Sequence, residues 1–140
     1  MAEQLLTRLE GSWRMAGDVR GKQVEYRLDT RRVLQGRFIE LHMVDVQSPP
    51  RYEARVFLGA DETGKIFAHW LDSFGAAYSV PHGEGSATDN RIEFRIPYSG
   101  ATFRDTFSYL PTTDEWTLTI EAEKAGGDTR HFAAYRLRRP

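Results

Sequence analysis

From Ser12 onward, apolar residues recur at every second position in run after run, and that period admits strands with one buried and one wet face and little else. Trp13 and Met15 alternate with Arg14 and Ala16. Val24, Tyr26 and Leu28 alternate with Glu25, Arg27 and Asp29. Ile92, Phe94 and Ile96 lie between arginines and a glutamate, and Trp116, Leu118 and Ile120 between threonines and glutamates. Turn chemistry separates the runs: Gly21-Lys22, Ser48-Pro49-Pro50, Asp61-Glu62-Thr63-Gly64, Asp89-Asn90, Pro111-Thr112-Thr113-Asp114 and Gly126-Gly127-Asp128. This divides the chain into about ten strands at meander spacing, with no later helix long enough for a parallel crossover. Ahead of them Leu5, Leu6 and Leu9 fall at helical spacing between Ala2 and Glu10, and Gly11 ends that pattern.

The expected fold is therefore all-β: a closed antiparallel up-and-down barrel with a short N-terminal helix across one end, because closure removes the two edges of a long meander. One domain of 140 residues suffices, with neither internal repeat nor linker. Alternation places Trp13, Met15, Tyr26, Leu28, Ile92, Phe94, Phe103, Phe107, Trp116, Leu118, Tyr135 and Leu137 inside. One run stays two-sided: Phe38, Glu40, His42, Val44 and Val46 oppose Ile39, Leu41, Met43 and Asp45, and either set is able to face the cavity. If Ile39, Leu41 and Met43 or the opposite stripe faces outward, a homodimer is the expected way to cover it.

Gly11-Ser12-Trp13, just after the helix and opening the first strand, resembles the Gly-X-Trp start of calycin barrels, the lipocalins and fatty-acid-binding proteins. The wider series Val33-Leu34-Gln35-Gly36-Arg37-Phe38-Ile39-Glu40-Leu41-His42, Phe57-Leu58-Gly59-Ala60-Asp61 and His69-Trp70-Leu71-Asp72-Ser73-Phe74-Gly75 is similar to an uncharacterised bacterial domain-of-unknown-function family with a lipocalin-like barrel. The similarity runs roughly from Leu5 to Leu137. It implies a barrel with a cavity and no particular activity.

The charge balance, 19 basic against 20 acidic residues for a net -1, provides no field of one sign for nucleic acid or acidic lipid. Without cysteine there is no disulfide, thiolate nucleophile or Cys-ligated zinc. No apolar stretch approaches membrane-spanning length, and no signal-peptide core follows Met1, so a cytoplasmic protein is expected. No histidine pair has metal-ligand spacing, and no serine sits in Gly-X-Ser-X-Gly. An enzyme is the less favoured reading.

The residues that bear on function are the interior ones. Asp105 lies between Phe103 and Phe107 on the inward parity, and an unpaired buried carboxylate costs several kcal/mol or so, so a partner is expected in His131 or Arg37. Paired with His131 it would form an acid/base dyad; otherwise it is a polar anchor, or the register slips and Arg104 points inward. His131 shares the parity of Ala133, Tyr135 and Leu137. The haem-binding barrels called nitrobindins use a histidine late in the chain, so haem ligation by His131 is an alternative to a structural, hydrogen-bonded histidine. Trp70 and Asp72 share one face, with Asp72 capping the turn that follows. The leading expectation is a small hydrophobic ligand held in the barrel by Met15, Tyr26, His42, Trp70, Phe94, Phe103, Asp105, Phe107, His131 and Tyr135, with no metal and no required cofactor. Nitrobindin-type haem binding and a filled structural barrel are the alternatives.

Overall fold

The computed structural model describes residues 2–140. A short helix α1 (Ala2–Thr7) precedes ten strands: β1 (Gly11–Val19), β2 (Lys22–Val33), β3 (Phe38–Asp45), β4 (Glu53–Ala60), β5 (Ile66–Asp72), β6 (Gly83–Thr88), β7 (Arg91–Pro97), β8 (Thr102–Leu110), β9 (Glu115–Glu123) and β10 (Thr129–Arg138). Each strand runs antiparallel to the next, and β1 pairs with both β2 and β10, so the sheet closes. The expected barrel is the observed one. No helix among the described residues is long and apolar enough to cross a membrane.

The helix stops earlier than its leucine spacing predicts. After Thr7, the amides of Arg8, Leu9 and Glu10 donate to the carbonyls three residues back, a tighter closing turn. Carbonyls at a helix C-terminus lack intrahelical partners, and here two strand tryptophans supply them. Trp13 Nε1 donates to the Leu9 carbonyl at 2.7 Å and Trp116 Nε1 to the Arg8 carbonyl at 3.3 Å. Both indoles are buried with Leu5, Leu6 and Leu9, forming a floor. Arg32, the last inward-parity side chain of β2, anchors the helix from outside through Glu3 at 2.9 Å and Glu10 at 3.0 Å.

The two-sided β3 resolves through its register. Met43, Leu41 and Ile39 stand opposite Ala54, Val56 and Leu58 of β4, and all six are fully buried in the interior. The outer face carries Phe38, Glu40, His42 and Val44. Glu40 is buried although it points outward, because the guanidinium groups of Arg55 and Arg31 cover it. The stripe Ile39, Leu41 and Met43 thus lines the core, and the stripe left outward on β3 is the mixed one of Phe38, Glu40, His42 and Val44. His42, expected as a cavity residue, sits on the outer wall with Nε2 at 2.6 Å from Glu53 Oε2.

Two irregularities shape the end opposite the helix. Between His131 and Ala133 the β9–β10 register shifts by one residue, leaving Phe132 as the bulged position. At the β5–β6 seam only Ile66, Phe67 and Ala68 pair, with Gly85, Glu84 and Gly83. The upper half of β5, His69–Asp72, therefore has a strand neighbour on one side only. The connection after it, containing a 3₁₀ turn at Ala76–Tyr78, carries three exposed apolar side chains: Phe74, Tyr78 and Val80.

Candidate functional site

The inward positions change character along the barrel. Near α1 they are Trp13, Trp116, Ile39, Leu58, Ile66 and Ile92, all close to zero exposure. Toward the other end they become aromatic and acidic. Tyr26 and Tyr135 stand with ring centroids 5.8 Å apart, and Tyr52, from the β3–β4 connection, is 5.6 Å from Tyr26. On the far wall Phe103 packs edge-on against Tyr98 at 5.2 Å and against Phe132 at 4.8 Å. These rings are half-buried or better and surround the barrel mouth.

Most polar atoms of the mouth are satisfied. Trp70 Nε1 donates to the Tyr52 hydroxyl at 3.0 Å, which in turn donates to Asp72 Oδ2 at 2.8 Å. The other Asp72 oxygen accepts from the Phe74 amide at 3.1 Å, the turn cap expected of it. Asp45 accepts from the Arg51 amide at 2.8 Å. Burial pushes the Tyr52 phenol far above its ordinary range, with Asp72 adding to the rise, so Tyr52 remains a neutral donor.

Asp105 is the exception. It projects inward from β8 between the β7 residue Phe94 and the β9 residue Ile120, is 2% exposed, and its Oδ1 has no hydrogen-bond partner. Burial alone lifts its carboxyl to about 8. An ionised carboxylate in an apolar setting pays a desolvation penalty of several kcal/mol or so and responds by holding its proton. The two partners expected from the sequence are elsewhere. The bulge at Phe132 rotates His131 outward, where Nε2 lies 3.1 Å from Asp18 Oδ2. Arg37 lies in the turn between β2 and β3, at the helix end of the barrel. Arg104 also points outward, bonded to Glu121. The Asp105–His131 dyad is therefore overturned.

So is haem ligation by His131. His42, His69, His82 and His131 all lie on the outer wall or in connections; His82 bonds Glu84 at 2.9 Å and stacks on His69 with centroids 5.7 Å apart. The interior provides no imidazole for an iron, so the residues present do not fit the histidine-ligated group.

Of the ten residues expected to bind a ligand, the structure gathers Tyr26, Trp70, Phe103, Asp105 and Tyr135 at the mouth. It places Met15, Phe94 and Phe107 deeper, fully buried, with Phe94 and Phe107 6.3 Å apart and Phe107 against Trp116. His42 and His131 are outside. The pattern missed Tyr52 and Tyr98, which sit in connections beyond strand ends, and Phe132, whose parity the bulge inverts. An aromatic at the wet position of His131-Phe132-Ala133-Ala134 was the available sign of that bulge.

A concavity of about 290 Å³ lies on the outer wall, lined by Ser12, Asp29, Thr30, Arg31, Glu40, His42 and Arg55. Its central carboxylate, Glu40, is already neutralised by two arginines, and the His42 ring is held by Glu53. Thr30, which also lines it, is buried with its Oγ1 unpartnered, a neutral hydroxyl rather than a carboxyl.

No family model matches the chain, and no curated protein does. Among solved structures, the crystal structure of Rv2717c from M. tuberculosis is similar with a TM-score of 0.65, covering 99% of this chain and 97% of that one at 18% identity. At that identity the likeness establishes the fold: nearly the whole of both chains shares one closed β-barrel architecture.

Proposed function

We propose that this chain is a binding protein for a small, largely apolar organic molecule, taken up in the aromatic mouth with a polar group set against Asp105. The observation that carries this reading is the Asp105 carboxyl, buried and unpartnered at Oδ1 among rings that otherwise satisfy one another. A protein interior seldom keeps such an atom without use. A mouth of aromatic walls with one convergent polar group is also the usual composition of a small-molecule site. The half-paired upper β5 and the exposed connection bearing Phe74 and Tyr78 offer a way in beside Trp70. The lipocalin-like resemblance of the sequence agrees with a cup that binds, and supplies no ligand.

The test is titration with a neutral solvatochromic dye such as Nile red. Saturable binding near one dye per chain is expected, weakened about tenfold in Trp70→Ala or Phe103→Ala while the folded circular dichroism spectrum persists, in line with loss of one well-packed aromatic contact. Binding that is absent, or indifferent to both substitutions, sinks the proposal.

A further inference from the structure

The charges buried at the mouth are of one sign. Asp45, Asp72 and Asp105 stand on inward positions of β3, β5 and β8, while Asp18 of β1 points outward to His131 near the rim. Three basic side chains stand on inward-parity positions of the described strands: Arg32, at the opposite end and tied to Glu3 and Glu10, and at the mouth end Lys22, opposite Val19, and Arg130, opposite Ala122, both exposed to solvent. Arg20, Arg51 and Lys124 are exposed in the connections at this end. The phenol of Tyr98 is pushed up to about 12 by burial and, after it, by Asp105 and Asp72, and that of Tyr135 is raised by burial and by the neighbouring Tyr26, with smaller contributions from Asp105 and Asp18. Tyr26, raised by burial, also feels Asp45.

A fatty acid or other organic anion entering this mouth would add a second negative charge beside a carboxyl that already resists ionising, with no buried guanidinium or ammonium to receive it, since Lys22 and Arg130 are out in solvent at the rim. A cation meets the reverse: electron-rich faces of Tyr26, Tyr52, Tyr135 and Phe103 on its flanks, and an oxygen of Asp105 without a partner. Aromatic rings attract cations most strongly when both are desolvated, as they are inside a half-closed barrel.

We infer that the ligand class is an organic cation, an aliphatic or aromatic ammonium whose charged nitrogen sits between the mouth aromatics and the Asp105 carboxylate. This rests on the mouth being the binding site. On binding, Asp105 gives up its proton to solvent and the two charges neutralise each other in place of a protonated acid.

The experiment compares three probes of one shape by isothermal titration at pH 8: benzyltrimethylammonium, its neutral carbon isostere neopentylbenzene, and phenylmethanesulfonate. The cation is expected to bind at least about tenfold tighter than the neutral isostere, on the scale of a desolvated cation–π contact plus an ion pair, with the anion weakest. Asp105→Asn should abolish the preference and leave neutral binding in place. The groups facing Asp105 from neighbouring elements are Tyr98 and Tyr135, both neutral across the working range, and the apolar Phe94 and Ile120. The wild-type affinity for the permanent cation should therefore weaken by up to about tenfold per pH unit as pH falls below the Asp105 titration, while that of the neutral isostere stays flat. This profile decides the matter should Asp105→Asn fail to fold. Equal affinity for cation and neutral, preference for the anion, or a cation preference unchanged in Asp105→Asn overturns the inference and leaves the mouth as an apolar site. Failure of all three probes together with Nile red overturns both.

Discussion

The two ends of the barrel solve the same problem of burial in opposite ways. At the helix end the interior is aliphatic and indole, and most of its polar side chains find partners within the chain: Trp13 and Trp116 donate to the Leu9 and Arg8 carbonyls just past α1, Arg32 reaches Glu3, Glu10 and Thr7, and the neutral Thr30 hydroxyl is left unpartnered. At the mouth the interior is phenolic and acidic, the wall between β5 and β6 is half unpaired, and one buried carboxyl lacks a partner at Oδ1. The floor is consistent at every level from spacing to packing, as a segment selected for stability is. The mouth departs from those rules in ways that destabilise the chain, and such departures concentrate where a protein binds or reacts. The contrast separates stability from function in space, so substitutions at the two ends should have different signatures.

The largest effect is expected at the floor. Trp13→Ala removes a buried ring and its hydrogen bond to Leu9, and leaves the Arg139 guanidinium, 3.6 Å over that ring, without its platform. Loss of about 3–5 kcal/mol of unfolding free energy is expected in urea. A loss below about 1 kcal/mol, the range of surface sites, would break the comparison by showing that the floor is not the stability centre.

Asp105 should act with the opposite sign. Its carboxyl rises from the usual carboxylate range to about 8 in the folded chain, so the folded state holds a proton that the unfolded state releases near pH 4. Stability from this group is fully present below that unfolded value and is lost as pH rises toward 8. Subtracting the Asp105→Asn curve from the wild-type curve cancels most other titrations. The difference should fall by up to about 1.4 kcal/mol per pH unit between roughly pH 5 and 8, and flatten above. A difference that does not change with pH would mean that Asp105 has a partner after all.

A smaller loss sharpens the picture of the mouth. Tyr52→Phe leaves the ring in place and removes the hydroxyl linking Trp70 Nε1 to Asp72. Two half-buried groups then lose a partner, and about 1–3 kcal/mol is expected. Nile red binding should weaken as well, because Trp70 loses its orientation. Unchanged binding would detach Trp70 from the site.

The same contrast explains what the sequence made legible. At the floor the alternation of Trp13, Met15, Leu28, Trp116 and Leu118 runs uninterrupted into regular strands, so parity alone assigns the inside. On β3 parity was insufficient, because Phe38 and Val44 make the outer face as apolar as an inner one, and Glu40 is buried by arginines from neighbouring strands that are remote in sequence. At the mouth, parity misled: one bulged residue exchanges Phe132 for His131, and Tyr52 and Tyr98 enter from connections where no period applies. Asp105 was legible as a buried acid. Its lack of a partner was not, since that depends on where His131, Arg37 and Arg104 end up in space.

The smallest expected effect concerns His131 and tests the geometry most responsible for the functional reading. With the imidazole on the outer wall, half exposed beside Asp18, it takes part in a solvent-screened pair of the kind worth roughly 0–1 kcal/mol. His131→Ala should therefore cost less than about 1 kcal/mol, leave Nile red and benzyltrimethylammonium affinities unchanged, and leave the Asp105 difference curve in place. An inward His131 would behave otherwise on all three counts: its removal would strip the partner from Asp105, shift the pH at which the difference curve bends, and alter the probe site. A marked change in probe affinity or in that bend would show that the β10 bulge is not where the register puts it. The acid/base dyad would then return as the better account of why this barrel buries a carboxyl at its mouth.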